Sequence, residues 1–110
     1  MAASISYSVT TKLPIGRVWG LLTDITNWPK FSDIYSDLSW DGEPWKEGSR
    51  LAVQINFPIV VSGRYTISVC LPTVLIRYVF EPGMYSFTTG KTIRLNRLGE
   101  GTSIELTVHL

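Results

Sequence analysis

The sequence of 110 residues is poor in the groups that build metal centres and disulfides. It contains one cysteine, Cys70, and one histidine, His109, whereas a structural zinc site needs about four such ligands. A single cysteine excludes an internal disulfide, and nothing in the cysteine usage indicates an oxidising compartment. We therefore expect neither a metal nor a cofactor.

Charge is also scarce. Charged residues make up 17% of the chain and the net charge is +1, whereas soluble domains carry about 25% charged residues. The nearest approach to a basic run is Lys91, Arg94 and Arg97, interleaved with Ile93 and Leu95. That spacing is typical of the outer face of a strand rather than of a track for phosphates, so we expect no nucleic-acid partner.

Long apolar runs are absent as well. No segment approaches the ~20 residues of a membrane-spanning helix, and no charged and then apolar leader follows Met1. We therefore expect no stable membrane insertion and a cytoplasmic location. Hydrophobic residues nevertheless make up 45% of the chain. They must fill a large core, line a cavity or form a subunit interface.

Signatures of catalysis are weak. There is no Gly-x-Ser-x-Gly motif, and His109 falls on the predicted solvent face of the last strand. Gly99-Glu100-Gly101 is predicted to be a hairpin turn. It is not a phosphate-binding loop, because the carboxylate of Glu100 would repel a phosphate. Arg50, Arg64 and Arg77 occupy the polar positions of the alternation in their strands, which predicts that their side chains face solvent. An arginine that turned inward could stabilise an enolate.

Alternation of apolar and polar residues predicts six strands. They cover residues 4–10, 51–57, 65–71, 76–80, 85–95 and 104–110. Ile5, Tyr7 and Val9 are predicted to face inward from the first strand. Short connections such as Ser62-Gly63 indicate antiparallel hairpins, and the alternation indicates a sheet with one solvated face. Gly90 inside a strand indicates a bend or bulge.

Between the first two strands the apolar period changes to that of a helix. The stripe begins after Pro14, which suits a first helical turn, and its spacing is i, i+3, i+4, i+7 and i+10. Its members are Ile15, Val18, Trp19, Leu22 and Ile25. We expect Gly16 and Gly20 to permit close packing of this helix on the sheet. Residues 26–31 predict a second, short helix that Thr26 could cap.

One stretch of the chain combines several of these features in an uncommon spacing. It reads Pro14-Ile15-x-x-Val18-Trp19-x-Leu21-Leu22-x-Asp24-Ile25-x-Asn27-Trp28-Pro29-x-Phe31. Gly48 opens the next strand, and Gly101-Thr102-Ser103 precedes the last one. Together these features resemble the polyketide cyclase/dehydrase and lipid-transport group of the START-like, or SRPBCC, superfamily, over essentially the whole chain.

The resemblance implies an α+β helix-grip fold. In that fold a curved antiparallel sheet wraps a long C-terminal helix, and an apolar cavity lies between them. This chain departs from the pattern, because it reaches Leu110 in its last predicted strand, where the family continues into the gripped helix. We therefore expect a single START-like domain, 1–110, truncated at its C-terminus and without that helix. An apolar sheet face of this width exceeds what monomers usually expose, so we also expect a homo-oligomer assembled through it.

The concave face is the predicted ligand site, although ordinary core packing would also explain its aromatic residues. Trp28 and Tyr35 are the strongest candidates, because the resemblance places the short helix at the cavity entrance. The predicted ligand-binding residues are Trp28, Phe31, Tyr35, Leu51, Val53, Ile55, Phe57, Tyr65, Ile67, Tyr78 and Phe87.

The resemblance implies binding of lipids, polyketides, steroids or plant hormones, and in some members aromatase or cyclase activity. We favour non-enzymatic binding or carriage of a small hydrophobic ligand, lipid-like or polyketide-like. The alternatives are a polyketide cyclase or dehydratase and a non-catalytic oligomerisation or interaction domain. An inward-pointing arginine or a Tyr–Asp pair would favour the enzyme. A lined void would favour binding, and a partner chain on the concave face would favour the third alternative.

Overall fold

The computed structural model of the chain describes residues 3–31, 35–56, 60–81 and 89–110; within them the side chains at 31, 55, 56, 60 and 61 are not described. These residues form seven strands and short helical segments. In chain order they are β1 (Ser4–Thr11), α1 (Ile15–Thr23), a 3₁₀ turn (Ile25–Asn27), α2 (Trp28–Phe31), β2 (Tyr35–Asp41), β3 (Arg50–Asn56), β4 (Val60–Leu71), β5 (Leu75–Phe80), β6 (Gly90–Leu98) and β7 (Gly101–His109).

The strands form one sheet in the order β1-β7-β6-β5-β4-β3-β2, and every neighbouring pair is antiparallel. From β2 to β7 the chain is a meander, and β1 joins it beside β7. The predicted α+β fold is confirmed. In the described part of the chain, which reaches Leu110, no helix follows β7. None of the helices described is long and apolar enough to cross a membrane.

Cross-strand register defines the two faces of the sheet, since residues directly opposite each other point to the same side. We call the face that carries α1 and α2 the inner face. One row across it is Ile67, Tyr78, Lys91, Val108 and Ile5. The adjacent row is Cys70, Ile76, Ile93, Leu106 and Tyr7. The opposite, polar side is the outer face.

The core lies on the inner face of β3, β4 and β5, under the short helices. Leu51, Tyr65, Ile67 and Ile76 are each at most 1% exposed. Trp28 of α2 packs against this cluster. A second cluster joins Ile15 and Val18 of α1 to Leu95 of β6, as the helical stripe predicts. Burial of these apolar groups is the main source of stability for a domain of this size.

The turn between the helices is capped by Asp24 rather than by Thr26. The Asp24 carboxylate accepts hydrogen bonds from the Thr26 amide at 3.0 Å and the Thr26 hydroxyl at 2.6 Å. These bonds lower the pKa of Asp24. Gly16 and Gly20 are both exposed, and a Cβ built on either would have no heavy atom within 4 Å. The expectation that they allow close packing on the sheet is therefore wrong.

Two strand assignments differ from the sequence-based prediction. Strand β2 was not predicted, because a bulge between Tyr35 and Asp37 interrupts its alternation. The predicted connection Ser62-Gly63 lies inside β4, where it pairs with Gln54 and Val53 of β3. Residues 57–59 and 82–88, which include the first residues of the predicted strand 85–95, lie outside the described residues.

A second bulge reverses the parity at the end of β4. The register shifts between Ile67 and Val69, so that Cys70 rather than Leu71 shares the inner face with Ile76. Leu71 is 47% exposed as a result. A bulge adds one residue to one strand only, and the uninterrupted apolar alternation of 65–71 gives no sign of it.

Strand β1 is only partly covered. Ile5, Tyr7 and Val9 lie on the inner face by register, but they are 57%, 57% and 56% exposed. The helix α1 packs on β6 and β7 instead. The prediction that these residues face inward is right about direction and wrong about burial.

Candidate functional site

A cleft of about 210 Å³ opens on the inner face between the helices and the middle of the sheet. Six segments contribute to its wall: Leu22 from α1, Trp28 from α2, Tyr35 from β2, Tyr78 from β5, Lys91 and Ile93 from β6, and Leu106 from β7. The size lies between the roughly 150 Å³ cavity that takes up benzene and the roughly 300 Å³ of the smaller drug-binding pockets. Its aromatic and aliphatic lining suits an apolar molecule.

Trp28 is the centre of the aromatic packing. Its ring centroid lies 5.5 Å from that of Tyr35, 6.0 Å from that of Trp45 and 6.1 Å from that of Tyr78. All three separations are within the range of favourable tilted ring contacts. The indole Nε1 donates to the carbonyl oxygen of Leu22 at 3.0 Å. These contacts fix the orientation of the indole at the cleft wall.

Trp45 closes one end of the aromatic cluster. It has a φ of 60°, which is uncommon for a residue other than glycine. Its indole Nε1 donates to the carbonyl oxygen of Thr23, and its ring meets that of Trp40 edge-on at 4.9 Å. Trp45 lies in a turn, so no apolar periodicity marked it as a packing residue.

Three tyrosine hydroxyl groups gather beside the cleft. Burial raises the pKa of Tyr35, Tyr65 and Tyr78, and the nearby phenols raise those of Tyr65 and Tyr78 further. A hydrogen bond between Tyr35 and Tyr65 partly offsets the rise at Tyr35. The rings of Tyr65 and Tyr78 stack at 4.9 Å. All three hydroxyls therefore stay neutral at neutral pH, and Tyr35 and Tyr78, which line the cleft, offer polar, uncharged contacts within apolar walls.

Lys91 is the one cation in the lining of this cleft. The sequence predicts an outer-face position for Lys91, Arg94 and Arg97; this is right for Arg94 and wrong for Lys91 and Arg97, which have the parity of Ile93. Lys91 pairs with Tyr78 on β5 and Val108 on β7, so its side chain shares their inner face. The sequence does hold a sign of this position, because Lys91 and Ile93 are two residues apart and therefore point to the same face of the strand. Burial lowers the pKa of its ammonium group.

The arginines that could have supported catalysis point away from the cleft. Arg50, Arg64 and Arg77 are exposed, as predicted from their parity. Arg50 forms an ion pair with Glu81 at 3.4 Å. None of these three can therefore reach an enolate held against Trp28 or Tyr78.

The structure separates the predicted ligand-binding residues into three groups. Trp28, Tyr35 and Tyr78 line the cleft. Behind them, in the closed core, lie Leu51, Val53, Tyr65 and Ile67. Phe31 and Ile55 have described backbones only, and Phe57 and Phe87 lie outside the described residues. The sequence-based set missed Leu22, Lys91, Ile93 and Leu106, although helical or strand parity marked each of them.

Two other depressions lie among the described residues. A groove of about 450 Å³ on the outer face is larger than the cleft, but six of the nine residues in its wall are polar or charged. Its residues are Asp37, Ser39, Ala52, Val53, Gln54, Ser62, Gly63, Arg64 and Glu81. A third, of about 280 Å³, runs along α1 between Leu13 and Ile104 and shares Leu22 with the cleft. For an apolar molecule the chemistry of the wall matters more than its size, and this favours the inner face.

Comparison with solved structures identifies the fold as the helix-grip, START-like one. The Zhui aromatase/cyclase from Streptomyces sp. R1128 matches with a TM-score of 0.82 and 16% identity, over 99% of this chain and 67% of that one. Major latex-like protein 151 from Panax ginseng matches at 0.78 and 10% identity, over 98% and 78%. The Aha1 dimer from Colwellia psychrerythraea matches at 0.74 and 16% identity, over 96% and 75%. At these identities the likeness concerns the fold alone.

The family is shown by the sequence itself. Residues 2–110 match the family model described as polyketide cyclase / dehydrase and lipid transport. Because the match spans nearly the whole chain, the protein belongs to this family, and the resemblance drawn from Pro14 to Phe31 is confirmed. No curated protein matches the sequence.

Proposed function

We propose that the inner-face cleft binds a small, mainly apolar molecule, lipid-like or polyketide-like, and carries it without transforming it. The observation that supports this most directly is the cleft wall of Trp28, Tyr35 and Tyr78, which combines aromatic area with neutral hydroxyl groups. Rigid rings give contact area at low entropic cost, and hydroxyls orient one polar end of a ligand.

The size of the cleft sets the expected affinity. A ligand of roughly a dozen heavy atoms gains about 0.3 kcal/mol per atom at the low end of ligand efficiency. That sum, about 4 kcal/mol, corresponds to a Kd of about 1 mM, and a well-fitted ligand would reach the micromolar range.

The cytoplasmic location expected from the sequence stays a prediction.

The cyclase alternative has less support. Arg50, Arg64 and Arg77 are exposed on the sheet away from the cleft. Among the described residues, Asp37 and Asp41 are also exposed, and neither lines the cleft. No acid/base pair in the described part of the cleft is suited to aldol cyclisation, which needs both proton transfer and enolate stabilisation.

Self-association is the second part of the proposal. Strand β1 is an edge of the sheet and carries three apolar residues of the inner face, Ile5, Tyr7 and Val9, each more than half exposed. Exposed apolar patches on a sheet mark sites of protein–protein contact, and in a twofold dimer the same patch of each copy packs on the other. We propose that two copies pack the inner faces of their β1 strands against each other, which would cover these three residues in both.

Calorimetric titration tests the binding function. 2-Naphthamide is a neutral, two-ring probe of suitable size, and we expect it to bind the unmodified protein. Leu106→Trp puts an indole into the cleft and should weaken binding at least tenfold. Asn96→Trp is the matched control, because Asn96 is exposed on the neighbouring strand and lies away from the cleft. Absence of binding, or equal binding by all three proteins, would refute the proposal.

A further inference from the structure

We infer that the molecule bound in the cleft is a weak organic acid, whose carboxylate pairs with Lys91 while its apolar body packs against Trp28 and Tyr78. This inference rests on the proposed function and adds the charge of the ligand to it. The observation behind it is a lysine in the wall of an otherwise apolar cleft.

Strand register fixes the place of Lys91. It lies directly opposite Tyr78 on one side and Val108 on the other, and Ile93 follows it on the same face. Its aliphatic stem therefore packs in the apolar wall, and the side chain is only partly exposed. A strand position has little freedom to turn such a side chain to the outer face, so the ammonium group stays at the cleft.

Among the residues that the structure describes, none forms an ion pair with Lys91. Across residues 3–31, 35–56, 60–81 and 89–110, the ion pairs are Glu43–Lys46 and Arg50–Glu81, and neither involves Lys91. The other titratable groups of the cleft wall are Tyr35 and Tyr78, both of which burial keeps neutral. Burial lowers the pKa of Lys91, which means that its charged form is poorly solvated there.

A bound carboxylate would meet each of these conditions. It supplies the missing negative charge, and its two oxygens can accept from the ammonium group and from a tyrosine hydroxyl together. Charge-assisted hydrogen bonds are roughly twice as strong as neutral ones. An alternative is that Lys91 only extends its ammonium group into water at the mouth of the cleft, in which case a ligand's charge would not matter.

Paired probes separate these possibilities. 2-Naphthoate and 2-naphthamide have nearly the same shape and differ in charge. We expect the unmodified protein to bind naphthoate about tenfold more tightly, a difference of about 1.4 kcal/mol. Lys91→Met keeps the apolar stem and should remove that preference, leaving naphthamide affinity within about twofold. Lys91→Arg should keep it, because guanidinium also pairs with carboxylate.

Arg94→Met is the control variant, since Arg94 is an exposed cation on the same strand and the substitution changes the net charge equally. It should leave both affinities unchanged. If naphthoate and naphthamide bind equally, and Lys91→Met alters neither, the inference is overturned while the binding function stands. If neither probe binds, the proposed function itself fails. Thermal unfolding of each variant confirms that it is folded.

Discussion

Alkaline pH should destabilise this protein steeply, because three tyrosine hydroxyls are buried together. The pKa values of Tyr35, Tyr65 and Tyr78 are raised, first by burial and then, for Tyr65 and Tyr78, by the neighbouring phenols. The unfolded chain loses each of these protons near pH 10, whereas the folded protein keeps them. The unfolded state therefore binds fewer protons, and stability falls as pH rises above about 10.

The magnitude follows from linkage. At pH 11 an unfolded tyrosine with a pKa of about 10 gains about 1.4 kcal/mol from ionisation. Three such residues lower the stability of the folded state by at most about 4 kcal/mol, a large part of the 5–15 kcal/mol typical of a domain. Lys91 acts in the opposite direction, because its lowered pKa makes stability rise with pH up to about pH 10.4. We therefore expect a maximum near pH 10 followed by a steep fall.

Urea unfolding followed by tryptophan fluorescence, at pH values from 7 to 11, measures this dependence. Tyr78→Phe removes one of the three hydroxyls and should reduce the loss between pH 10 and 11 by about a third. A Cys70→Ser background excludes thiol ionisation, whose pKa is also raised. Near-ultraviolet absorbance gives a second measure, since at least three of the five tyrosines should ionise only as the protein unfolds. Normal titration of all five, with constant stability, would refute the argument.

Three further predictions concern packing and assembly. Trp28→Ala should cost about 3–5 kcal/mol in urea unfolding, because it empties the centre of the aromatic cluster; a cost below about 1 kcal/mol would contradict that role. Gly90→Ala should destabilise, since its Cβ would lie 2.5 Å from the Tyr78 carbonyl oxygen, whereas Gly16→Ala meets no atom and should stabilise by up to about 1 kcal/mol. Equal thermal shifts would contradict this contrast. Light scattering should show a dimer at micromolar concentration that Val9→Lys converts to a monomer; a monomeric unmodified protein would end the proposal of self-association.

The sequence predicted most of the fold because its periodicities are strong and local. The helical spacing of Ile15 and Val18 and the alternation within β5 each express a single buried face. Features that depend on pairing between strands could not be predicted in this way. The bulge that turns Cys70 inward exists only in the register of β4 against β5, and the bulge in β2 hides that strand altogether.

The candidate site was predicted in part. Tyr78 lies at an apolar position of its strand, whereas Trp28 and Tyr35 were predicted from the resemblance, and all three line the cleft. Whether Leu51 would line open space or closed core depends on how far Trp28 and Trp45 fill the inner face, which is a property of the whole packing. Lys91 was not predicted to line the site, although it points to the same face of its strand as Ile93. Charged side chains usually face solvent, and this one does not.

NMR mapping of ligand binding tests the central proposal, an apolar-ligand site on the inner face, most directly. Titration of isotope-labelled protein with 2-naphthamide should shift the Trp28 indole resonance and the amides of Tyr35, Ile93 and Leu106, all of which line the cleft. The outer groove provides the internal comparison, through the amides of Gln54 and Arg64. Shifts confined to that groove, or no shifts at all, would contradict an apolar-ligand site between the helices and the sheet.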